Sequence, residues 1–78
     1  MHLMIPLDTL RPGEVADVCQ VVGQDDQVRR LRELGICDGA RVEMVRCGSP
    51  CIVRLGGCRL CLRHERSLRV LVMPRMSA

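Results

Sequence analysis

Hydrophobic and polar positions alternate along most of this chain with the period of two that is typical of β-strands. The clearest alternation is in residues 40–46, where the apolar Val42 and Met44 alternate with the polar Arg41 and Glu43. β-branched residues and flanking turn signals extend this reading to five strands. The predicted strands are residues 14–22, 40–46, 51–55, 58–63 and 68–73.

Residues 25–34 follow a different period, in which apolar side chains recur at three-residue steps among charged ones. These apolar residues are Val28, Leu31 and Leu34. The spacing predicts one short helix with an apolar face and a charged back. Asp25 or Asp26 is expected to cap the first turn, and Gly35 to end the helix in a left-handed conformation.

Turn signals separate the predicted elements and indicate how they connect. They are the segment 7–13 ending in Pro-Gly, Asp38-Gly39, residues 48–50, the hairpin turn Gly56-Gly57, a single helical turn at 64–67, and Pro74, which is expected to end strand pairing. The resulting order predicts a small five-stranded barrel with one short helix between the first two strands. Barrel closure would protect strand edges that so short a chain has little material to cover.

The length of 78 residues allows one domain, predicted to span the whole chain with a core at 3–73 and a frayed tail at 74–78. The chain has no aromatic residue, so its core must be built from aliphatic side chains, Met and Cys. The same absence removes the stacking platform on which proteins bind single-stranded nucleic acid. We therefore expect no nucleic-acid partner.

The net charge is +3, and all 12 basic residues are Arg, interleaved with nine acids. This excess is too small to indicate nucleic-acid binding. The arginines are read either as a solvated exterior or as a surface that pairs with carboxylate or phosphate. No apolar run approaches the roughly 20 residues of a membrane-spanning helix, and no export signal is visible. A soluble, cytoplasmic protein without direct membrane insertion is expected.

Six cysteines raise the question of a metal site, because four of them lie close together as a CxxxC followed by a CxxC. These four are Cys47, Cys51, Cys58 and Cys61, with His64 three residues further on. The spacing is compatible with a zinc or iron site. However, a strand places Cys58 and Cys61 on opposite faces, and cysteine is also a common buried apolar residue. Structural core residues and metal ligands both remain open interpretations.

No arrangement of residues indicates catalysis. The two histidines, His2 and His64, have no matching nucleophile, and Ser49 lies outside a GxSxG context. A phosphate-binding loop of the GxxxxGK[ST] type is missing as well. The sequence therefore predicts a protein that is not an enzyme and that requires no cofactor.

Four short motifs resemble the FeoA domain family over residues 3–73. They are Leu7-x-x-Leu10-x-Pro12-Gly13-Glu14, Leu31-x-Glu33-Leu34-Gly35-Ile36-x-x-Gly39-x-x-Val42, Leu60-x-Leu62-Arg63 and Val70-x-Val72. The second motif is the most specific. Asp38 stands where the family usually has Pro, and Asp-Gly supplies a similar turn.

This resemblance implies an SH3-like barrel and an accessory role beside the FeoB-type ferrous iron permease, whose cytosolic part carries a GTPase domain. The protein would then be recruited to the inner face of the plasma membrane through its partner. Candidate partner contacts are Arg54, Arg59 and Arg63 on the strands, and Arg29, Arg30 and Arg32 on the back of the helix. The alternative is a metal-binding or metal-sensing domain that uses Cys47, Cys51, Cys58 and Cys61.

Overall fold

The computed structural model describes residues 3–48, 50–63 and 67–75, and within these ranges the fold is mostly β with one α-helix. The elements are β1 (Ile5–Pro6), a 3-10 helix (Leu7–Thr9), β2 (Val15–Val22), α1 (Asp25–Glu33), β3 (Arg41–Arg46), β4 (Cys51–Leu55), β5 (Cys58–Leu62) and β6 (Arg69–Arg75). The five predicted strands and the single α-helix are confirmed, each within two residues at either end. Of the predicted helical turn at 64–67, residues 64–66 lie outside the described residues.

The strands form one antiparallel sheet in the order β1-β6-β2-β3-β4-β5. β2 to β5 meander through neighbouring positions, and β6 returns to the free edge of β2. The structure differs from the prediction in one detail, because β1 precedes the five predicted strands and the helix thus follows the second strand. β1 has only two residues, one of them Pro6, so it carries no alternating pattern that would reveal it.

One face of the sheet holds the core, as the alternation predicts. Val42, Met44 and Val53 are fully buried, while Arg41 and Arg54 on the other face are exposed. Full burial of an aliphatic side chain of this size contributes about 1.5–3 kcal/mol. The buried residues are Leu7, Leu10, Ala16, Val18, Leu31, Ile36, Val42, Met44, Cys51, Val53, Val70 and Val72.

A bulge in β2 explains why that strand alternates only in part. Its pairing with β6 shifts between Val18 and Gln20, which leaves Cys19 as an extra residue. Beyond the bulge the inward positions change parity, so that Val21 and its partner Val70 both pack with the core. The strand therefore keeps its hydrophobic face although its sequence does not alternate strictly.

The helix starts with a capping box rather than with the predicted aspartate cap. Gln24 is the N-cap, and its backbone N–H donates to Gln27 Oε1 at 3.0 Å, while the Gln24 side chain accepts from the Gln27 backbone. Asp25 and Asp26 occupy the first turn instead, where their charge still suits the helix dipole.

The helix ends in a Schellman motif centred on Gly35. Gly35 N–H donates to Arg32 O at 3.0 Å, and Ile36 N–H donates to Leu31 O at 2.9 Å. Gly35 has a φ of +102°, as its predicted left-handed role requires. The turn buries Ile36 completely but leaves Leu34 46% exposed, so this residue of the predicted apolar face lies at the surface and not in the core.

β6 continues past its predicted end at residue 73, because Pro74 pairs with Ala16 and Arg75 with Val15. The prediction that Pro74 ends pairing is therefore wrong. β1 reaches only Leu71 and Val72, so β6 has a single neighbour strand at Pro74. A proline without a backbone N–H is tolerated at such an edge position.

Replacing Gly35 by Ala is expected to lower the free energy of unfolding by about 2–3 kcal/mol. A left-handed backbone costs an L-residue about 1–2 kcal/mol. The added Cβ would also lie 2.7 Å from Leu55 Cδ2, which forces that side chain to move at a cost of about 1 kcal/mol. Urea denaturation followed by circular dichroism measures this change.

Gly39→Ala is the matched control, because Gly39 has a φ of +88° with no atom within 4 Å of the added Cβ. We expect this variant to lose only the backbone cost of about 1–2 kcal/mol. Equal losses for the two variants would show that the contact with Leu55 contributes nothing.

Candidate functional site

A groove of about 1190 Å³ lies between α1, the 3-10 helix, the end of β5 and the start of β6. Its helix wall consists of residues at the i, i+3, i+4 and i+7 positions of one helical face, which are Gln27, Arg30, Leu31 and Leu34. We call it the helix groove. The amphipathic spacing of α1 thus supplies one complete wall.

The opposite wall of the helix groove comes from the strands. Leu62 and Arg63 lie at the end of β5, while Leu68 and Arg69 lie at the start of β6. Leu62 and Leu68 pack against the core, so the apolar floor of the groove continues the interior of the protein. Leu34, which the Schellman turn leaves exposed, extends that floor toward solvent.

A hydrogen-bonded bridge joins the two walls. Gln27 Nε2 donates to Ser67 Oγ at 3.1 Å, and Ser67 Oγ lies 3.3 Å from Gln27 Oε1. The same Gln27 side chain caps the helix, so a single residue links the start of α1 to the segment that enters β6.

The rim of the helix groove is positively charged. Arg30 stands on the helix wall, and Arg63 and Arg69 stand on the strand wall. Asp8 is the one carboxylate among the described lining residues, so three positive charges against one negative charge give a net +2. An anionic ligand is therefore favoured over a cationic one.

The structure separates the three arginines predicted as partner contacts. Arg54 and Arg59 are cross-strand partners on the outer face of β4 and β5. Arg54 Nη1 also lies 3.7 Å from Glu43 Oε1, an exposed pair that contributes at most about 1 kcal/mol. Arg63 instead lines the helix groove, where Arg30 of the predicted helix-back set joins it.

The sequence did not point to the helix groove. The spacing of Gln27, Arg30, Leu31 and Leu34 could have revealed its helix wall, because these residues share one helical face. No local pattern in the sequence indicated the strand wall of the groove. Arg69 and Leu68 face the helix only because β6 returns to pair with β2.

The structure separates Cys58 from Cys51, whereas Cys47 and Cys61 lie near Cys51. Cys51 is opposite Leu62 and Cys58 is opposite Leu55 in the β4–β5 register, so the two cysteines lie at opposite ends of the hairpin, roughly 13 Å apart along the strands. Within the described ranges, no three His, Cys, Asp or Glu residues form a group that could hold a metal ion. This geometry gives no support to Cys47, Cys51, Cys58 and Cys61 as a four-thiolate site, which stays a prediction, and His64 lies outside the described residues.

The alternative interpretation, that these cysteines fill the core, is right for Cys51 alone. Cys51 is buried, whereas Cys47, Cys58 and Cys61 are exposed. Burial raises the pKa of the Cys51 thiol above its ordinary value, and the nearby Asp8, Cys47 and Cys61 raise this pKa further. Cys47 Sγ donates to Leu10 O at 2.9 Å.

No helix in the described ranges is long and apolar enough to cross a membrane.

Comparisons with known proteins agree on one family. The sequence model of the FeoA domain matches residues 5–74. A crystal structure of an iron uptake regulatory protein (FeoA) superposes with a TM-score of 0.84 at 24% identity, covering 94% of this chain and all of that one. The Chlorobium tepidum FeoA solution structure has a TM-score of 0.79 at 29% identity, with 88% of this chain and 69% of that chain covered.

A third relative adds a description of fold and role. The zinc-complexed crystal structure of Stenotrophomonas maltophilia FeoA has a TM-score of 0.76 at 36% identity, covering 87% of this chain and 88% of that one. That protein is described as a prokaryotic SH3 domain protein and suggested as a bacterial ferrous iron transport activating factor. No curated protein matches the chain. The SH3-like fold expected from the sequence is thus confirmed.

Alkylation with iodoacetamide near neutral pH is expected to modify Cys61 well before Cys51. The reactive species is the thiolate, and the raised pKa of Cys51 lowers its thiolate fraction while burial blocks access. Mass spectrometry of tryptic peptides measures the rate at each thiol. Raising the pH should accelerate the modification of Cys51, because its raised pKa leaves most of this thiol protonated near neutral pH.

Two controls sharpen this experiment. In urea all six thiols should react at similar rates, because burial is lost. One equivalent of zinc should leave the native pattern unchanged, since Cys58 lies at the opposite end of the hairpin from Cys51. Protection of all four by zinc, or equal native rates for Cys51 and Cys61, would contradict this account.

Proposed function

The chain belongs to the FeoA domain family, and we propose from this membership that it is a non-enzymatic accessory protein of ferrous iron transport. Its partner in this proposal is the cytosolic part of a FeoB-type permease. The protein would act in the cytoplasm and reach the inner face of the plasma membrane through that partner. Its contribution would be regulatory binding.

The family match across residues 5–74 carries this proposal. The role suggested for the Stenotrophomonas maltophilia relative, a ferrous iron transport activating factor, supports the pathway. The helix groove supports a binding role, because an apolar floor with an arginine rim is typical of a surface that receives another protein. Arginine is also enriched among the residues that dominate binding energy.

The predicted contacts Arg54, Arg59 and Arg63 now form two separate surfaces that can be tested individually. Arg59 belongs to the outer face beside Arg54, and Arg63 to the helix groove. Both side chains are exposed, so charge reversal of either should leave the core intact.

Arg63→Glu is expected to weaken binding to the cytosolic part of the permease by about tenfold or more, because the reversed charge would lie against the partner's carboxylates, and like charges at an interface repel. Arg59→Glu tests the outer face in the same way. Arg46→Glu, at the exposed end of β3, is the control and should bind like the unaltered protein. Biolayer interferometry gives the dissociation constants, and thermal unfolding verifies the fold of each variant.

The outcomes separate the claims. Full binding by both the Arg59 and Arg63 variants would remove these arginines from the interface but leave the partnership standing. Absence of binding by the unaltered protein, with either the nucleotide-free or the GTP-bound cytosolic part, would overturn the proposed function itself.

A further inference from the structure

We propose that the helix groove binds a short acidic segment with an aliphatic anchor, contributed by the cytosolic part of the permease. This inference rests on the proposed function and assigns it a site and a partner chemistry. The apolar floor, the charge of the rim and the size of the groove each support it.

The apolar floor of the helix groove favours a partner with an aliphatic anchor residue. Leu34 is a large hydrophobic residue with 46% of its surface exposed, and it lies beside the buried Leu31 in the same groove. Leu62 and Leu68 continue this surface from the strand wall. A partner's aliphatic side chain placed here would remove the exposed part of Leu34 from water, which favours binding in proportion to the apolar area buried.

The positive charge of the groove rim favours carboxylate groups on the partner. In the described ranges Arg30, Arg63 and Arg69 take part in no ion pair, whereas Arg41 and Arg75 both contact Asp17 and Arg54 contacts Glu43. Asp8, the lining carboxylate, has interactions of its own. The three guanidinium groups are thus available for carboxylates, which they bind in bidentate geometry.

The placement of the charges suggests how the segment is arranged. Arg30 stands on one wall, and Arg63 and Arg69 stand on the other, with the leucines between them. A segment lying along the groove would point its anchor at the floor and its carboxylates at both walls. Acidic residues should therefore flank the anchor on either side.

The dimensions favour a peptide over a small metabolite. The volume of about 1190 Å³ exceeds the range of about 300–1,000 Å³ usual for small-molecule sites. The nine-residue helix α1 is roughly 13 Å long, which matches about four residues of extended chain. The occupant is accordingly a short linear segment.

The test combines groove variants with the permease's cytosolic part and with overlapping short peptides that cover it. Leu34→Glu removes the apolar anchor site, and the double change of Arg30→Glu with Arg69→Glu reverses the rim. Leu3→Glu is the matched control, because Leu3 is 70% exposed and does not line the groove. Methyl NMR spectra of Leu31, Leu62 and Val70 report directly on occupancy.

Both groove variants should bind about tenfold more weakly or worse, while Leu3→Glu binds normally. One acidic peptide should shift the groove methyl signals, with an affinity that falls as salt rises. A version of that peptide with lysines for its acids should bind the Arg30 and Arg69 double variant better than the unaltered chain.

Each result has a distinct meaning. If the unaltered chain binds the cytosolic part and the folded groove variants bind equally well, the groove assignment is overturned and the partnership survives. If the methyl signals respond only to neutral or basic peptides, the acidic chemistry is wrong. If the unaltered chain binds neither the cytosolic part nor any of its peptides, the proposed function and this inference both fail.

Discussion

The Schellman turn at Gly35 couples the core of this protein to its surface groove. Its hydrogen bond from Ile36 N–H to Leu31 O closes the helix and carries Ile36 into the fully buried interior. The same reversal leaves Leu34, one residue before the glycine, exposed at the end of the helix. A single backbone conformation therefore places Ile36 in the core and leaves Leu34 exposed at the apolar edge of the helix groove. This explains physically why the most specific family motif is centred on a glycine.

The core has to be built without aromatic side chains, so strand register fixes how its small residues meet. Val18 is opposite Val72, and Met44 is opposite Val53. The bulge between Val18 and Gln20 allows β2 to keep apolar residues inward where the sequence alternation breaks, and the irregularity between Met44 and Arg46 places the exposed Arg46 opposite Ile52. Because each side chain is small, stability must come from many close contacts rather than from a few large anchors.

The arginines show how one residue type takes different roles in different surroundings. Arg41 and Arg75 flank Asp17 on the outer face, where exposed ion pairs contribute little to stability. The rim arginines of the helix groove have no ion pair in the described ranges and border an apolar floor, where a partner's carboxylate would be partly shielded from water. Arg59 on the outer face also has no ion pair in the described ranges, so the groove is distinguished by three such arginines placed around exposed leucine. The four clustered cysteines also differ in their surroundings, because Cys51 is buried in the core whereas Cys47, Cys58 and Cys61 are exposed.

Local spacing in the sequence was enough to predict five strands, the helix and the left-handed Gly35, because each reflects side chains two to four residues apart. The motifs that resemble the FeoA family could also be recognised from the sequence, because each is a short run of residues. Tertiary structure decided the features that join distant residues. The bridge between Gln27 and Ser67 spans 40 positions in the sequence. The strand wall of the groove, and the placement of Arg63 in the same groove as Arg30, likewise depend on residues far apart in the sequence. Pairing also decided that Pro74 remains in a strand and that Cys58 is separated from Cys51, because both outcomes depend on which strands β6 and β4 pair with.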